Sequence, residues 1–155
     1  MISEGSAAPD FTLPRDGGGT ISLSGLRPQK VVLYFYPKDD TPGCTIEAID
    51  FTRMAAEFAA AGTVVIGLSK DSVKAHDKFC RKHGLGIILA SDEGSDTCER
   101  YGVRAEKSMY GRTYQGIERA TFLIDGAGKI ARVWPKVKVE GHAAEVLAAA
   151  QSLPA

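Results

Sequence analysis

Of the three cysteines in the chain, Cys44 stands in the position best suited to chemistry. It follows the stretch Tyr36-Pro37-Lys38-Asp39-Asp40-Thr41-Pro42-Gly43, which two prolines make stiff. An apolar run from Val31 to Tyr36 leads into that stretch, and a helical pattern from Cys44 to Ala61 leads out of it. Pro42 suits the first helical position, where an N–H would have no intrahelical partner, and Thr41 then becomes the N-cap. Cys44 therefore falls in the first turn of a helix. Unpaired backbone N–H groups and the positive end of the helix dipole favour an anion there. For a cysteine that anion is the thiolate, the nucleophilic form. The competing assignment is a small apolar residue on a helix face.

The other candidates are read against their helices. Cys44, Ala48, Phe51, Met54, Ala55, Phe58 and Ala59 share one arc at 3.6-residue spacing, so Cys44 is expected to face the core. Glu47 lies in the same arc and needs a partner, since an unpaired buried charge is costly. Ile46 and Ile49 fall on the polar side as ordinary exposed residues or a docking surface. In the next helix Cys80 sits at the border between an apolar arc and the cations Lys74, Lys78, Arg81 and Lys82, which could assist a thiolate. His76, Cys80 and His83 are spaced i, i+4, i+7 and form a rival metal set, but a closed zinc site draws ligands from two segments and no second cluster exists. Cys98, among polar residues, reads as a packed small side chain.

The elements that must position these residues follow in order. Phe11–Leu13 and Thr20–Leu23 flank a glycine-rich turn and predict a hairpin. The run 31–36 reads as a strand covered on both faces, and Thr63–Leu68 as a second. Asp71-Ser72 opens a helix that Gly84 stops. A short strand over 87–90, a short helix over 95–101, and a long polar loop over 104–117 come next. Arg119–Ile124 and Ile130–Trp134 predict a second hairpin, and residues 141–153 a closing helix. The order gives an α/β fold with a central mixed sheet flanked by helices, as one domain over residues 1–155. Lysine plus arginine and aspartate plus glutamate both number 19, so the balance points to neither nucleic acid nor an anionic membrane. No apolar run spans a bilayer. The start, Met1-Ile2-Ser3-Glu4-Gly5, lacks the basic and apolar regions of a signal peptide, and the odd cysteine count does not read as a secreted disulfide framework. The expected location is cytoplasmic.

Pro37-x-x-x-Thr41-x-x-Cys44 resembles the active-site signature of the peroxiredoxins. The longer stretch Phe35 to Cys44, with Thr45 and Glu47, resembles the subfamily called bacterioferritin comigratory protein, or PrxQ. The similarity extends to Ala8-Pro9-Asp10-Phe11, Gly67-Leu68-Ser69, Leu89-Ala90-Ser91-Asp92, Tyr101-Gly102-Val103 and Arg119 to Asp125, and so to nearly the whole chain. The resemblance implies a thioredoxin-like fold and reduction of hydrogen peroxide and alkyl hydroperoxides without metal or organic cofactor.

It also implies roles. Cys44 matches the peroxidatic cysteine that becomes sulfenic acid. Thr41 matches the threonine whose hydroxyl bonds the thiolate and the peroxide. Pro37 matches the proline that screens the pocket, and Arg119 the distant arginine aimed at the sulfur. Glu47 matches a supporting glutamate. Many members carry the resolving cysteine five residues after the peroxidatic one, where this chain has Ile49. A second variant places it in the following helix, which Cys80 matches. The implied reductant is thioredoxin or a glutaredoxin-type protein, and the implied state a monomer. Cys44 and Cys80 are expected to lie apart in the reduced protein, so that both helix segments unwind locally for a disulfide to form. A one-cysteine peroxidase resolved by an external thiol stays open, as does a redox sensor. A dithiol oxidoreductase fits less well, because the residue three before Cys44 is Thr41.

Overall fold

The computed structural model describes residues 1–154. The central sheet has five strands in the order β5-β4-β3-β8-β9. Strand β3 (Lys30–Phe35) pairs in parallel with β4 (Thr63–Ser69), which pairs in parallel with β5 (Ile88–Ser91). On its other side β3 pairs antiparallel with β8 (Ala120–Ile124), which continues to β9 (Ile130–Trp134). Every residue of β3 is buried because the sheet is covered on both faces. Val31, Leu33 and Phe35 enter one core with Cys98, Tyr101 and Phe122. Val32, Tyr34 and Tyr36 enter the other with Cys44, Phe51 and Phe79.

The N-terminal hairpin, β1 (Thr12–Pro14) with β2 (Thr20–Ser22), forms as expected around a turn where Gly17, Gly18 and Gly19 all take positive φ. Helix α3 (Val73–His83) has the predicted ends. The Ser72 hydroxyl accepts from the Ala75 N–H at 3.1 Å, and Gly84 closes the helix at φ 61°. Helix α4 (Thr97–Arg100) is a single turn, and α5 (His142–Ser152) closes the chain.

Two expectations are corrected. The helix over 44–61 is two helices, α1 (Pro42–Arg53) and α2 (Ala55–Ala60), broken at Met54 with φ −100° and ψ 6°. The break redirects the second segment, so Phe58 meets Phe51 in the core while Ala59 is exposed. Residues 104–117 are not a loop but a hairpin, β6 (Arg104–Met109) with β7 (Arg112–Ile117). Its two-residue turn, Tyr110-Gly111, has positive φ at both positions, the geometry that matches strand twist. The ribbon stands outside the main sheet and is largely wet, so it lacks the apolar alternation that marks a half-buried strand.

Candidate active site

The carboxyl end of β3 delivers the chain into Pro37–Thr41, and α1 begins at Pro42. Thr41 is the N-cap by its backbone, and its carbonyl accepts from the Thr45 N–H at 2.9 Å. Its hydroxyl does not cap the helix, nor does it bond the Cys44 sulfur as the resemblance implies; it donates to the Lys38 carbonyl at 2.8 Å. Cys44 lies in the first turn facing inward, 1% exposed, as its helical arc predicts. Ile46 and Ile49 face solvent at 54% and 39%.

Strand pairing brings Arg119 to the sulfur. Phe35 is opposite Ala120 in the antiparallel register, so Arg119 sits beside the start of the Cys44 loop. The Arg119 carbonyl accepts from the Val137 N–H at 2.9 Å, which holds its backbone. Nη2 lies 3.3 Å from Cys44 Sγ, and Nη1 donates to Glu47 Oε1 at 2.6 Å. The guanidinium and the helix start both present positive charge to the sulfur. Gly43 makes the approach possible, since a Cβ there would stand 3.2 Å from Nη2.

Glu47 has the partner that its burial demands. Its Oε2 is buried with no partner among the described residues. Burial pushes this carboxyl up to about 7 against the opposing pull of Arg119. The Arg119 guanidinium is held above its ordinary range; burial works against it, but Glu47 and Cys44 outweigh the loss of solvent.

The loop before Cys44 is tied to α3. Asp39 is buried and accepts from the Tyr36 hydroxyl at 2.5 Å and from His76 Nδ1 at 2.6 Å. The Asp39 N–H donates to Asp71 at 2.9 Å. Asp40, at φ 58°, pairs with Lys82 at 2.6 Å and His83 at 2.8 Å. Burial lowers the affinity of His76 for a proton, but the Asp39 carboxylate more than offsets it, so the imidazole is raised from its ordinary value. The other ring nitrogen of His76 is bonded to the Ala90 carbonyl at 2.9 Å. His76 and His83 are thus engaged by separate partners, and no group of three metal-ligating side chains converges among the described residues.

Cys80 differs from the expectation of a cation-assisted thiol. Lys74, Lys78 and Arg81 are exposed and Lys82 is turned to Asp40, while the half-buried sulfur faces the turn of the first hairpin, 3.8 Å from Asp16 Oδ2. Burial, then Asp16 and more weakly Asp39 and Asp77, push the Cys80 thiol up to about 12. Cys98 is fully buried beside Asp92 in the other core, and burial again raises its thiol. All three cysteines are free. The contacts of Asp16, Asp39 and His76 were not legible beforehand. Asp39 lay in view inside the motif, but nothing local paired it with a residue 37 positions on.

The AhpC/TSA family model matches residues 5–133. The chain belongs to the AhpC/TSA family. A Coxiella burnetii relative, provisionally named peroxiredoxin bcp, is 56% identical over 146 residues, 94% of this chain and 97% of its own. Peroxiredoxin Q of Xanthomonas campestris superposes with a TM-score of 0.87 at 46% identity, over 92% of this chain and 90% of that one. A structure of the bacterioferritin comigratory protein of the same organism, described for its alkyl peroxide reduction activity, has a TM-score of 0.87 at 44% identity over 92% and 90% of the two chains. The mixed sheet is that of the thioredoxin-like peroxiredoxins, as the motif around Cys44 implied. This peroxiredoxin is a thiol-dependent peroxidase of the Bcp/PrxQ type. No helix is long and apolar enough to cross a membrane.

Proposed function

We propose that Cys44 is the peroxidatic residue and that hydrogen peroxide and alkyl hydroperoxides are its substrates. The observation that carries this reading is the Arg119 guanidinium on Cys44 Sγ at a helix start. The thiolate attacks one peroxide oxygen, an S–O bond forms as the O–O bond breaks, and the leaving oxygen takes a proton and departs as water or alcohol. Cys44 is oxidised by two electrons to sulfenic acid. Arg119 stabilises the charge that grows on the leaving oxygen. Thr41 has committed its proton to Lys38, so its oxygen is left to accept from the peroxide O–H. Pro37 screens the pocket, and Glu47 keeps the guanidinium in place.

Cys80 then resolves the sulfenic acid: an S–S bond forms and the oxygen leaves as water. Thioredoxin, or a glutaredoxin-type reductant, returns both cysteines to thiols. The protein acts as a monomer of one domain, residues 1–155, in the cytoplasm, away from nucleic acid and membranes. The first turn of α1 and part of α3 unwind for the disulfide to form.

A second reading is favoured by the surroundings of Cys80. A thiol pushed up to about 12 beside Asp16 is a poor nucleophile where it stands, which suits a one-cysteine cycle resolved by an external thiol. Intact mass and a non-reducing peptide map after one equivalent of peroxide separate the two. A Cys44–Cys80 disulfide, lost in Cys80→Ser together with thioredoxin-linked turnover, supports the first. A persistent Cys44 sulfenic acid in the wild type supports the second, and no oxidation at Cys44 overturns both.

A further inference from the structure

His76 is fully buried, and both of its ring nitrogens face acceptors. Nε2 lies 2.9 Å from the Ala90 carbonyl oxygen, which can only accept, so Nε2 carries a proton. Nδ1 lies 2.6 Å from Asp39 Oδ2, while Asp39 Oδ1 accepts from the Tyr36 hydroxyl at 2.5 Å. A neutral imidazole has one N–H and fills only one of its two bonds as a donor. The pair therefore holds a further proton between Nδ1 and Oδ2. The count is the same whichever of the two atoms carries it. A separated, solvated histidine and carboxylate hold one proton fewer at pH 7.5.

The other groups facing this pair leave that count unchanged. Tyr36 and Tyr34 face it from β3 and the Cys80 thiol from α3 itself; burial raises all three, so they keep their protons through neutral pH. Asp71, between β4 and α3, accepts from the Asp39 N–H and adds negative charge that favours the proton. Strand β5 contributes the Ala90 carbonyl.

The pair also occupies a strategic place. Asp39 stands in the loop that enters α1, and His76 stands one helical turn before Cys80 on α3. The bond to Ala90 fastens both to the central sheet. We propose that Asp39 and His76 are positioning residues that form a proton-linked latch: the latch holds the Cys44 loop on α3 while the extra proton is bound, and it parts and sheds that proton when Cys80 leaves for the sulfenic acid. The proposal rests on the resolving role of Cys80 and adds a proton to that step. As the S–S bond forms, the sulfenic oxygen leaves as water with the Cys80 proton, and the latch proton passes separately to solvent. Burial opposes the charge on His76, but Asp39 outweighs it, so the latched imidazole titrates above its ordinary 6.5. The latch is therefore at full strength below pH 6.5 and weakens, by up to about tenfold per pH unit, as pH rises through the raised value.

Asp39→Asn gives a clean control. Its amide N–H can donate to a bare Nδ1 and its oxygen can still accept from Tyr36, so all three bonds survive around a neutral ring. The redox equilibrium of the Cys44–Cys80 couple against glutathione, followed from pH 6.5 to 8.5, reads the proton. Relative to Asp39→Asn, the wild-type equilibrium should shift towards the disulfide by up to about tenfold per pH unit, or about 30 mV for two electrons. His76→Gln, which also lacks the titrating pair, should share the shallower slope and serves if the first variant fails to fold. In the reduced proteins, hydrogen-exchange protection of residues 37–41 and 73–83 should fall with pH more steeply in the wild type than in either variant. Parallel redox slopes overturn the proposal, and so does protection that follows pH alike in all three. If the wild type forms no Cys44–Cys80 disulfide, the resolving role of Cys80 falls, and the exchange measurement still decides the latch.

Discussion

Arg119 and Glu47 are joined at 2.6 Å in a pocket where Glu47 is 1% exposed, and the same guanidinium reaches Cys44 with its other nitrogen. The planar fork meets two acceptors on one helix face at once, which a point charge on a flexible stem does not. Arg119→Lys should therefore behave more like Arg119→Ala than like the wild type. Both should slow the single-turnover reaction with peroxide by about 100-fold or more, the loss seen when one positioned donor to a developing oxyanion is removed. Stopped-flow measurement of the first oxidation checks this; a lysine variant within a fewfold of wild type would remove the geometric requirement.

Glu47 sets a pH dependence with a definite sign. Its carboxyl ionises at an ordinary 4.5 in the unfolded chain and near 7 in the fold, so the native state holds the proton more tightly. The stability this confers is fully present below pH 4.5 and is lost as pH rises through about 7. Glu47→Gln carries no such proton. Wild-type stability should fall relative to Glu47→Gln across that window, with a slope of up to about 1.4 kcal/mol per pH unit. Urea unfolding of both proteins at pH 5 and 7.5 measures the difference; parallel profiles would contradict it.

Gly43→Ala should separate stability from activity. A helical alanine is favoured over glycine by about 1 kcal/mol, so the midpoint of unfolding should rise or hold. The new methyl would crowd Arg119 Nη2 at 3.2 Å and displace it by a few tenths of an ångström. If Arg119 acts on the peroxide as proposed, the reaction should slow by about threefold to tenfold, the effect of a small misplacement at a reacting centre. A faster or unchanged reaction would show that the guanidinium has slack.

Asp16→Asn tests what restrains Cys80. The amide oxygen can still accept from the Leu89 N–H, now bonded to Asp16 at 2.8 Å, while the charge facing the sulfur is gone. In a Cys44→Ser background, with Cys98 fully buried, labelling by a thiol reagent at pH 8 reports Cys80. The rate should rise by about threefold or more, because each unit by which the thiol falls gives up to tenfold more thiolate. Equal labelling with and without the carboxylate would leave burial as the sole restraint.

What the sequence revealed was local. Thr41 and Pro42 mark the start of α1, Ser72 and Gly84 the ends of α3, and the unbroken apolar run of β3 a strand buried on two sides. Each signal lies within a few residues of what it determines. A helical wheel puts Ala59 on the core arc because it assumes one straight helix, and Met54 ends that helix. The β6–β7 hairpin leaves no mark in the sequence because a wet ribbon has no apolar period. Arg119 came only from the family resemblance; its physical reason, the register of Phe35 with Ala120, is a property of the folded sheet. The charge around Cys80 is hidden from the sequence for the same reason, since Asp16 comes from an element 64 residues away.

Asp39 and Asp40 are neighbours in the Cys44 loop, and their partners on α3 stand on either side of Cys80: His76 before it, Lys82 and His83 after it. The two cysteine-bearing segments are thus buttoned together at adjacent points. Freeing the last turns of α3 undoes the hold on Asp40, and loosening the loop strips His76 of its buried carboxylate. Neither segment has an opening of its own to spend. Their backbone amides should share one exchange rate, so that a change of occupancy at the Cys44 sulfur is felt at Cys80 as timing rather than as force.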